Sequence, residues 1–274
     1  VTETTSPPAS IAAARPTTSA PLRPSRRAVP ERFGLVLGLL VGGLLWEVAG
    51  RYWLDPIFFA PLSRTFTGFL EMVTTGELGR AMRESMQLFV NGFIGGAAVG
   101  LVMGVVIARI RVVGIALEDY VTMLYVTPPI ALVPFVLTIL GFGVGPKSLI
   151  VAWFVFFPVV ITTIEGVRAV SPRLLEVAHS FGSTEARIWR DVVIPSTVPY
   201  AMSGIRQGIA LGFVGVVAAE FLLDSSGIGL LLRSYSRLYR MDKLLAAVLI
   251  MTMLGLAVMA LGRVVERRFA AWRQ

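Results

Sequence analysis

No cysteine occurs in the 274 residues, which removes disulfides, thiolate metal sites and cysteine nucleophiles together. Histidine is almost as scarce, with His179 alone. No G-x-S-x-G, H-E-x-x-H or paired-acid metal cluster is present either, so the groups that a hydrolase or a metalloenzyme needs are missing. Charge is thin: 15% of residues are Asp, Glu, Lys or Arg, against 55% hydrophobic and a mean hydropathy of +0.75. Those proportions exclude an ordinary water-soluble domain. The first apolar stretch has no small-residue cleavage site and is followed by many others, which argues against a cleaved secretory leader.

What is there divides unevenly. Residues 1–32 hold Pro7, Pro8, Pro16, Pro21, Pro24 and Pro30 amid Thr, Ser, Ala and Arg, the composition of a disordered tail. The same prolines are incompatible with the amphipathic helix of an organelle transit peptide. Apolar runs near twenty residues then occupy 33–50, 88–108, 120–140, 148–167, 203–223 and 243–262. They predict an all-α membrane protein, a polytopic bundle of about six transmembrane helices over 33–268, with 269–274 as a short C-terminal tail. Pro128, Pro129 and Pro134 in the third run and Pro158 in the fourth predict kinked helices buried against neighbours.

A net charge of +8 would suggest nucleic acid in a soluble protein. In this chain the basic residues flank apolar runs, so the expected partner is a lipid bilayer and no nucleic acid. Placing the N-terminus in the cytoplasm puts sixteen of the 25 basic residues on that side, so both termini of a plasma (inner) membrane protein are expected there. Arg233, Arg237, Arg240 and Lys243 crowd one short outer loop against this trend. Either they reach the headgroups or some of them face the mouth of a pathway and attract an anion; the sequence leaves both open.

Inside the spans, Gly92, Gly96, Gly100 and Gly104 repeat every four residues and form a smooth stripe for close helix packing, within this subunit or against a second copy. Ionisable groups within spans are few: Glu47, Glu165 and Glu220. Such groups face a bundle interior or a wet cavity, which makes Glu220 a candidate for a pathway or a structural hydrogen-bonding role, with Asn91 a weaker case.

The stretch 168–199 is a polar connection that encodes two short helices. Ser171 is a natural N-cap and Pro172 suits the first helical position; Gly182 can take the left-handed conformation that ends the first helix. Ser183 is the expected cap of the second, Glu185 favours its positive end, and Pro195 biases Ile194 out of helical geometry. Leu174, Leu175, Ala178 and Phe181 are expected on one face, beside Glu176, as a docking surface for a protein.

Glu176-Val177-Ala178, three residues, Gly182, nine residues and then Val192-Val193-Ile194-Pro195 resembles the EAA loop of permeases in binding-protein-dependent ABC importers. Val177 stands where Ala is usual, and Val192 and Ile194 where Ile and Leu are usual. The wider pattern, from Phe59-Ala60-Pro61-Leu62-Ser63 through Gly92-Phe93 and Thr127-Pro128-Pro129-Ile130 to Glu220-Phe221 and Gly227-Ile228-Gly229, resembles the nitrate, sulfonate and taurine branch. That resemblance covers about residues 33–268 and implies a type I ABC importer permease fold in a bacterial membrane. It further implies a second permease copy as a homodimer, two ATP-binding subunits that carry the ATP and Mg2+, and an extracytoplasmic solute-binding protein. No cofactor or metal is expected on this chain, and no catalytic residue. By the same resemblance Glu176, Val177, Ala178, Gly182, Val192, Ile194 and Pro195 form the ATPase-coupling element, and Asn91, Thr127, Pro128, Pro129 and Glu220 are candidate pathway residues for a small oxyanion such as a sulfonate, taurine or nitrate.

Two rivals deserve weighing. Gly141-Phe142-Gly143-Val144-Gly145-Pro146-Lys147-Ser148 differs from a phosphate loop at one glycine, but Pro146 removes a backbone N–H from the cradle and no strand precedes it. A secondary transporter or channel, which has no ATPase partner, is the second.

Overall fold

The computed structural model describes residues 31–223 and 226–270, with side chains at 33–223 and 226–264. The tail expected over 1–32 lies outside the described residues apart from its last two, as do 271–274. The chain parts into two compact units, Val1–Leu44 and Leu45–Gln274. The first unit contains most of α1 (Glu31–Val48), a Leu-, Val- and Gly-rich helix.

In the second unit α1 ends in one π-helical turn, Ala49–Trp53. There follow α2 (Leu62–Thr74), α3 (Glu77–Arg109), α4 (Arg111–Val126), α5 (Pro129–Leu140), α6 (Val144–Arg168), α7 (Pro172–Ser180), α8 (Glu185–Ile188), α9 (Ile194–Leu223), α10 (Gly227–Arg237) and α11 (Met241–Ala270). All regular structure among the described residues is helical. Among the described residues five stretches are long and apolar enough to cross a bilayer, and the bent pair α4–α5 makes a sixth if counted as one span.

The core is built on α6, which lies between α3 and α9. The four glycines of the α3 stripe all face it: a Cβ on Gly96 would come within 2.5 Å of the Ala152 carbonyl oxygen, and one on Gly104 within 2.6 Å of the Thr163 side chain. Gly92 and Gly100 meet Val151 and Val159 in the same way. The stripe therefore packs within the subunit, along a parallel neighbour. A second stripe, Gly204, Gly208, Gly212 and Gly215 on α9, meets α6 at Thr162, Val155 and Phe154, and shares Val151, Val155 and Val159 with the first. Between the two stripes α6 presents β-branched side chains, with Val151, Val155, Val159 and Val160 wholly buried. Their stiff rotamers fill the space that the glycines leave.

The third span departs from expectation. Instead of one kinked helix over 120–140, α4 and α5 cross at 103° around Thr127 and Pro128. Two successive prolines explain the break, because Pro128 drives Thr127 into extended geometry and Pro129 does the same to Pro128. The fourth span behaves oppositely: α6 is continuous through Pro158. Helix ends also run well past the apolar runs, so α3 begins at Glu77 and the helical stretch that contains α9 begins at Glu185. Two amphipathic helices, α2 and α10, were not legible as apolar runs at all.

Both short helices start on a carboxylate from a long one. Glu47 of α1 accepts from the Ser63 N–H at 2.9 Å and from its hydroxyl, at the first turn of α2. Glu220 of α9 serves α10 in the same manner, as described below. Each acid answers N–H groups that a helix start leaves unbonded and the partial positive charge there.

The crowded basic loop is largely an internal brace. Lys243 pairs with Glu71 of α2 at 2.7 Å, while Arg240 binds Glu71 and Asp242 at 3.1 and 3.0 Å. The Lys243 ammonium and then the Arg240 guanidinium hold the Glu71 carboxyl below the usual carboxylate range. Arg233 donates to the Phe221 carbonyl.

Candidate functional site

At the end of the bundle where α6 stops, α7 and α8 form a hairpin. Its turn follows from Gly182, whose φ of +70° places it in the left-handed region. The Ser183 N–H reaches back to the Ala178 carbonyl at 3.1 Å and the Gly182 N–H to His179 at 2.8 Å, which is the Schellman pattern of a helix end. Ser171 and Pro172 occupy the expected cap and first helical positions, but the Ser171 hydroxyl makes no capping bond. The cap of α8 is Thr184 rather than Ser183, since the helix starts one residue later than the spacing suggested.

The larger correction is at Pro195. Ile194 is helical, with φ −58° and ψ −51°, and α8 runs through a π-helical turn, Trp189–Val193, straight into α9. In that turn the Ile194 N–H bonds to Trp189 O. Widening by one residue shifts the bonding register just ahead of Pro195, which has no N–H to contribute, so the helix need not end. The hairpin's second arm and a membrane span are thus one rod.

The apolar face of α7 is also split. Leu175 and Ala178 turn inward onto Val170, Ile188 and Val193, with Trp189 and Val192 beside them. Leu174, Val177 and Phe181 point away, and Phe181 is 85% exposed. Glu176 is exposed next to them and makes no ion pair among the described residues. The hairpin therefore has an anchored side and an open side, and the open side is apolar with one acid. Arg109 at the end of α3 stacks its guanidinium 4.5 Å from the Trp189 ring centre, and Arg168 grips Glu118 of α4 through two bonds of 2.6 and 2.7 Å. The first contact ties the hairpin's second arm to α3, and the second ties the end of α6 that leads into the hairpin to α4.

His179 closes the hairpin from within. Nδ1 lies 2.7 Å from the Leu175 carbonyl and Nε2 lies 3.0 Å from the Glu185 carboxylate, so both nitrogens have acceptors. Only the imidazolium can donate to both, and the Leu175 carbonyl, then Glu185, raise its pKa above the ordinary 6.5. Because the folded value is raised, this clasp is complete below the ordinary histidine pKa and is lost as pH rises through the folded value. With a single histidine, one imidazole NMR signal reports it. The expected midpoint lies above 6.5 and moves down toward it in Glu185→Gln; a parent midpoint at or below 6.5 would refute the clasp.

At the opposite end, Glu220 is completely buried. Its Oε2 accepts from the Ser85 hydroxyl at 2.8 Å and from the Gly229 N–H at 2.9 Å. Ser85 Oγ takes the Ile228 N–H, and Glu84 takes the Gly227 N–H, both at 2.9 Å. Three consecutive N–H groups at the start of α10 are thereby bonded by three side chains from α3 and α9. Gly227 has a φ of +81°, and any side chain there would run into the Glu220 carboxylate. Glu220 thus makes structural hydrogen bonds at the start of α10.

The remaining pathway candidates are not brought together. Thr127, Pro128 and Pro129 sit at the α4–α5 bend, where the Thr127 hydroxyl bonds back to Met123 O. Asn91 instead lines a polar cavity of about 310 Å³ with Glu84, Gln87, Leu88, Val144, Lys147 and Ser226. Lys147 is buried there and donates to the Ser226 hydroxyl at 3.0 Å. Sequence reasoning missed Glu84, Gln87 and Lys147 as a group. A signal was present: Glu84, Gln87 and Asn91 fall at i, i+3 and i+7, one face of a helix.

Comparison with known proteins places these features in context. Residues 96–271 match the family described as "Binding-protein-dependent transport system inner membrane component". A Bacillus subtilis protein named for aliphatic sulfonates transport, the permease SsuC, is 28% identical over 89% of this chain and 90% of its own length. An ABC transporter permease of Methanocaldococcus jannaschii, MJ0413, is 31% identical over 84% of this chain and 88% of its own. The Escherichia coli taurine transport system permease protein TauC is 26% identical over 91% of this chain and 92% of its own. Among solved structures, a chain from a crystal structure of an amino acid ABC transporter with histidines superimposes with a TM-score of 0.56 at 21% identity, covering 73% of this chain and 98% of that one.

Proposed function

This chain belongs to the family of binding-protein-dependent transport system inner membrane components, the permeases of ABC importers, and from that membership we propose how it works and what it carries. Two copies form the pathway, and each presents its α7–α8 hairpin to a separate ATP-binding subunit, where ATP and Mg2+ are bound and hydrolysed. A solute-binding protein delivers the substrate from outside. The hairpin end lies in the cytoplasm with both termini, in the plasma (inner) membrane of a bacterium, and the α2 and α10 end faces outward. The excess of Lys and Arg on the hairpin side supports this orientation. The substrate is a small oxyanion, in keeping with the relatives named for sulfonates and taurine.

The observation that carries the reading is the hairpin's geometry. Leu174, Val177 and Phe181 are exposed beside Glu176 on a helix whose other side is anchored, and its second arm is continuous with a membrane span. An ATPase that grips the open face pushes on α9 directly, so closure of the ATPases becomes a rigid movement of the spans. In this reading Glu176, Val177, Ala178 and Gly182 shape and present the docking helix, while Val192, Ile194 and Pro195 carry the displacement through the π-helical turn.

The test is to reconstitute the permease with its ATPase and binding protein in liposomes. Glu176→Lys puts a cation on the docking face, and Gly182→Leu disfavours the left-handed turn by about 1–2 kcal/mol with no steric neighbour to blame. Both are expected to reduce ATPase co-purification, substrate-stimulated hydrolysis and uptake, Gly182→Leu more severely, while the spans stay folded. Normal values of all three in both variants would refute the coupling role. A parent permease that transports without any ATPase would point to the secondary-transporter alternative.

A further inference from the structure

The polar cavity at the α10 end is not absorbed by the coupling mechanism. Its wall combines groups of opposite charge on rigid elements: Lys147 at the start of α6 and Glu84 on α3, with Gln87 and Asn91 along the same face of α3. Lys147 is only 6% exposed, yet its one hydrogen bond among the described residues is to Ser226. An ammonium has three N–H donors, so two are unused. Glu84 gives one oxygen to the Gly227 N–H and has the other to offer. Gln87 and Asn91 are exposed carboxamides without a bond of their own among the described residues, able to donate and to accept. Leu88 and Val144 supply a short apolar wall.

A buried polar group without a partner is costly, so this arrangement favours a ligand that answers both signs. A simple anion would meet Lys147 but also the Glu84 carboxylate, and a simple cation would meet the reverse. A molecule with an ammonium at one end and an oxyanion at the other satisfies both, and about 310 Å³ accommodates one on a short carbon chain. We propose that this cavity is a selecting site for small zwitterions that carry an ammonium at one end and an oxyanion at the other, with Lys147 receiving the oxyanion and Glu84 the ammonium. The site deepens the importer reading and rests on it, because it names which oxyanions the pathway admits.

The experiment is equilibrium binding of radiolabelled taurine to the full-length permease in lipid nanodiscs, with ethanesulfonate and ethylammonium as competitors. Each competitor retains one charge and lacks the other. Taurine is expected to compete at concentrations lower by about tenfold or more than either. Glu84→Gln, which still accepts from Gly227, should weaken taurine by about tenfold and spare ethanesulfonate, whereas Lys147→Met should weaken both. Asn91→Ala, at an exposed position, should weaken taurine with no change in thermal unfolding. Absence of saturable taurine binding, equal competition by all three compounds, or unaltered taurine affinity in both Glu84→Gln and Asn91→Ala would overturn the site. Uptake in liposomes with the ATPase and binding protein separates the two readings: ATP-driven uptake without selective binding removes this site alone, and failure of any ATPase to co-purify removes the importer reading itself.

Discussion

Gly96→Leu is expected to leave essentially no folded permease. The Cα of Gly96 lies so close to α6 that even a single methyl would meet the Ala152 backbone, at 2.5 Å from its oxygen and 3.0 Å from its Cα. Backbone cannot rotate aside as a side chain can, so a leucine must push the two helices apart. Contacts along the whole stripe from Gly92 to Gly104 would then be lost together. Overpacking in a close-packed core typically costs about 1–3 kcal/mol, and separating two helices along several turns exceeds that range. Size-exclusion chromatography in mild detergent should show aggregate in place of the parent peak. Gly95→Leu, one residue away with open space at its Cβ, is the control and should behave like the parent. A monodisperse Gly96→Leu protein with parental thermal stability would mean that α3 and α6 are not in this contact.

Glu220→Ala ranks second. It removes the acceptor for the Gly229 N–H and for the Ser85 hydroxyl, at a fully buried position, and leaves the volume of the side chain empty. Each orphaned buried donor costs about 1–3 kcal/mol, and the cavity adds to it, so a loss of about 3–5 kcal/mol is expected. Glu220→Gln, which keeps one acceptor oxygen, should lose less than half as much. Denaturant unfolding in detergent measures both. Hydrogen exchange at Gly227, Ile228 and Gly229 should accelerate before the remainder of the bundle in Glu220→Ala; unchanged stability and exchange would refute the cap.

The spans were legible because a bilayer allows no shorter apolar run, and the glycine repeat on α3 was legible because spacing alone defines a helix face. The same rule, carried to Gly204, Gly208, Gly212 and Gly215, would have found the second stripe. Proline was a poorer guide. Pro158, Pro195 and Pro199 lie in continuous helices, while Pro128 breaks one, and the difference depends on what neighbouring turns supply for the freed carbonyls. The α3 polar face was cut short because Glu84 and Gln87 precede the apolar run that defined the span. Glu220 was recognised as unusual, but its partner Ser85 is 135 positions away, and no local pattern joins residues so distant.

Two glycine stripes pressed on the valines of α6 leave α3, α6 and α9 almost without slack. Side chains with many rotamers act as springs between helices, and these three have few, since glycine has none and valine favours one. In the proposed coupling, a displacement that enters at Trp189 meets few soft contacts within the trio to absorb it before Leu223. Whatever bends during a working cycle must lie elsewhere, at joints such as the 103° elbow between α4 and α5. The glycines, by their lack of substance, make this part of the molecule a stiff lever.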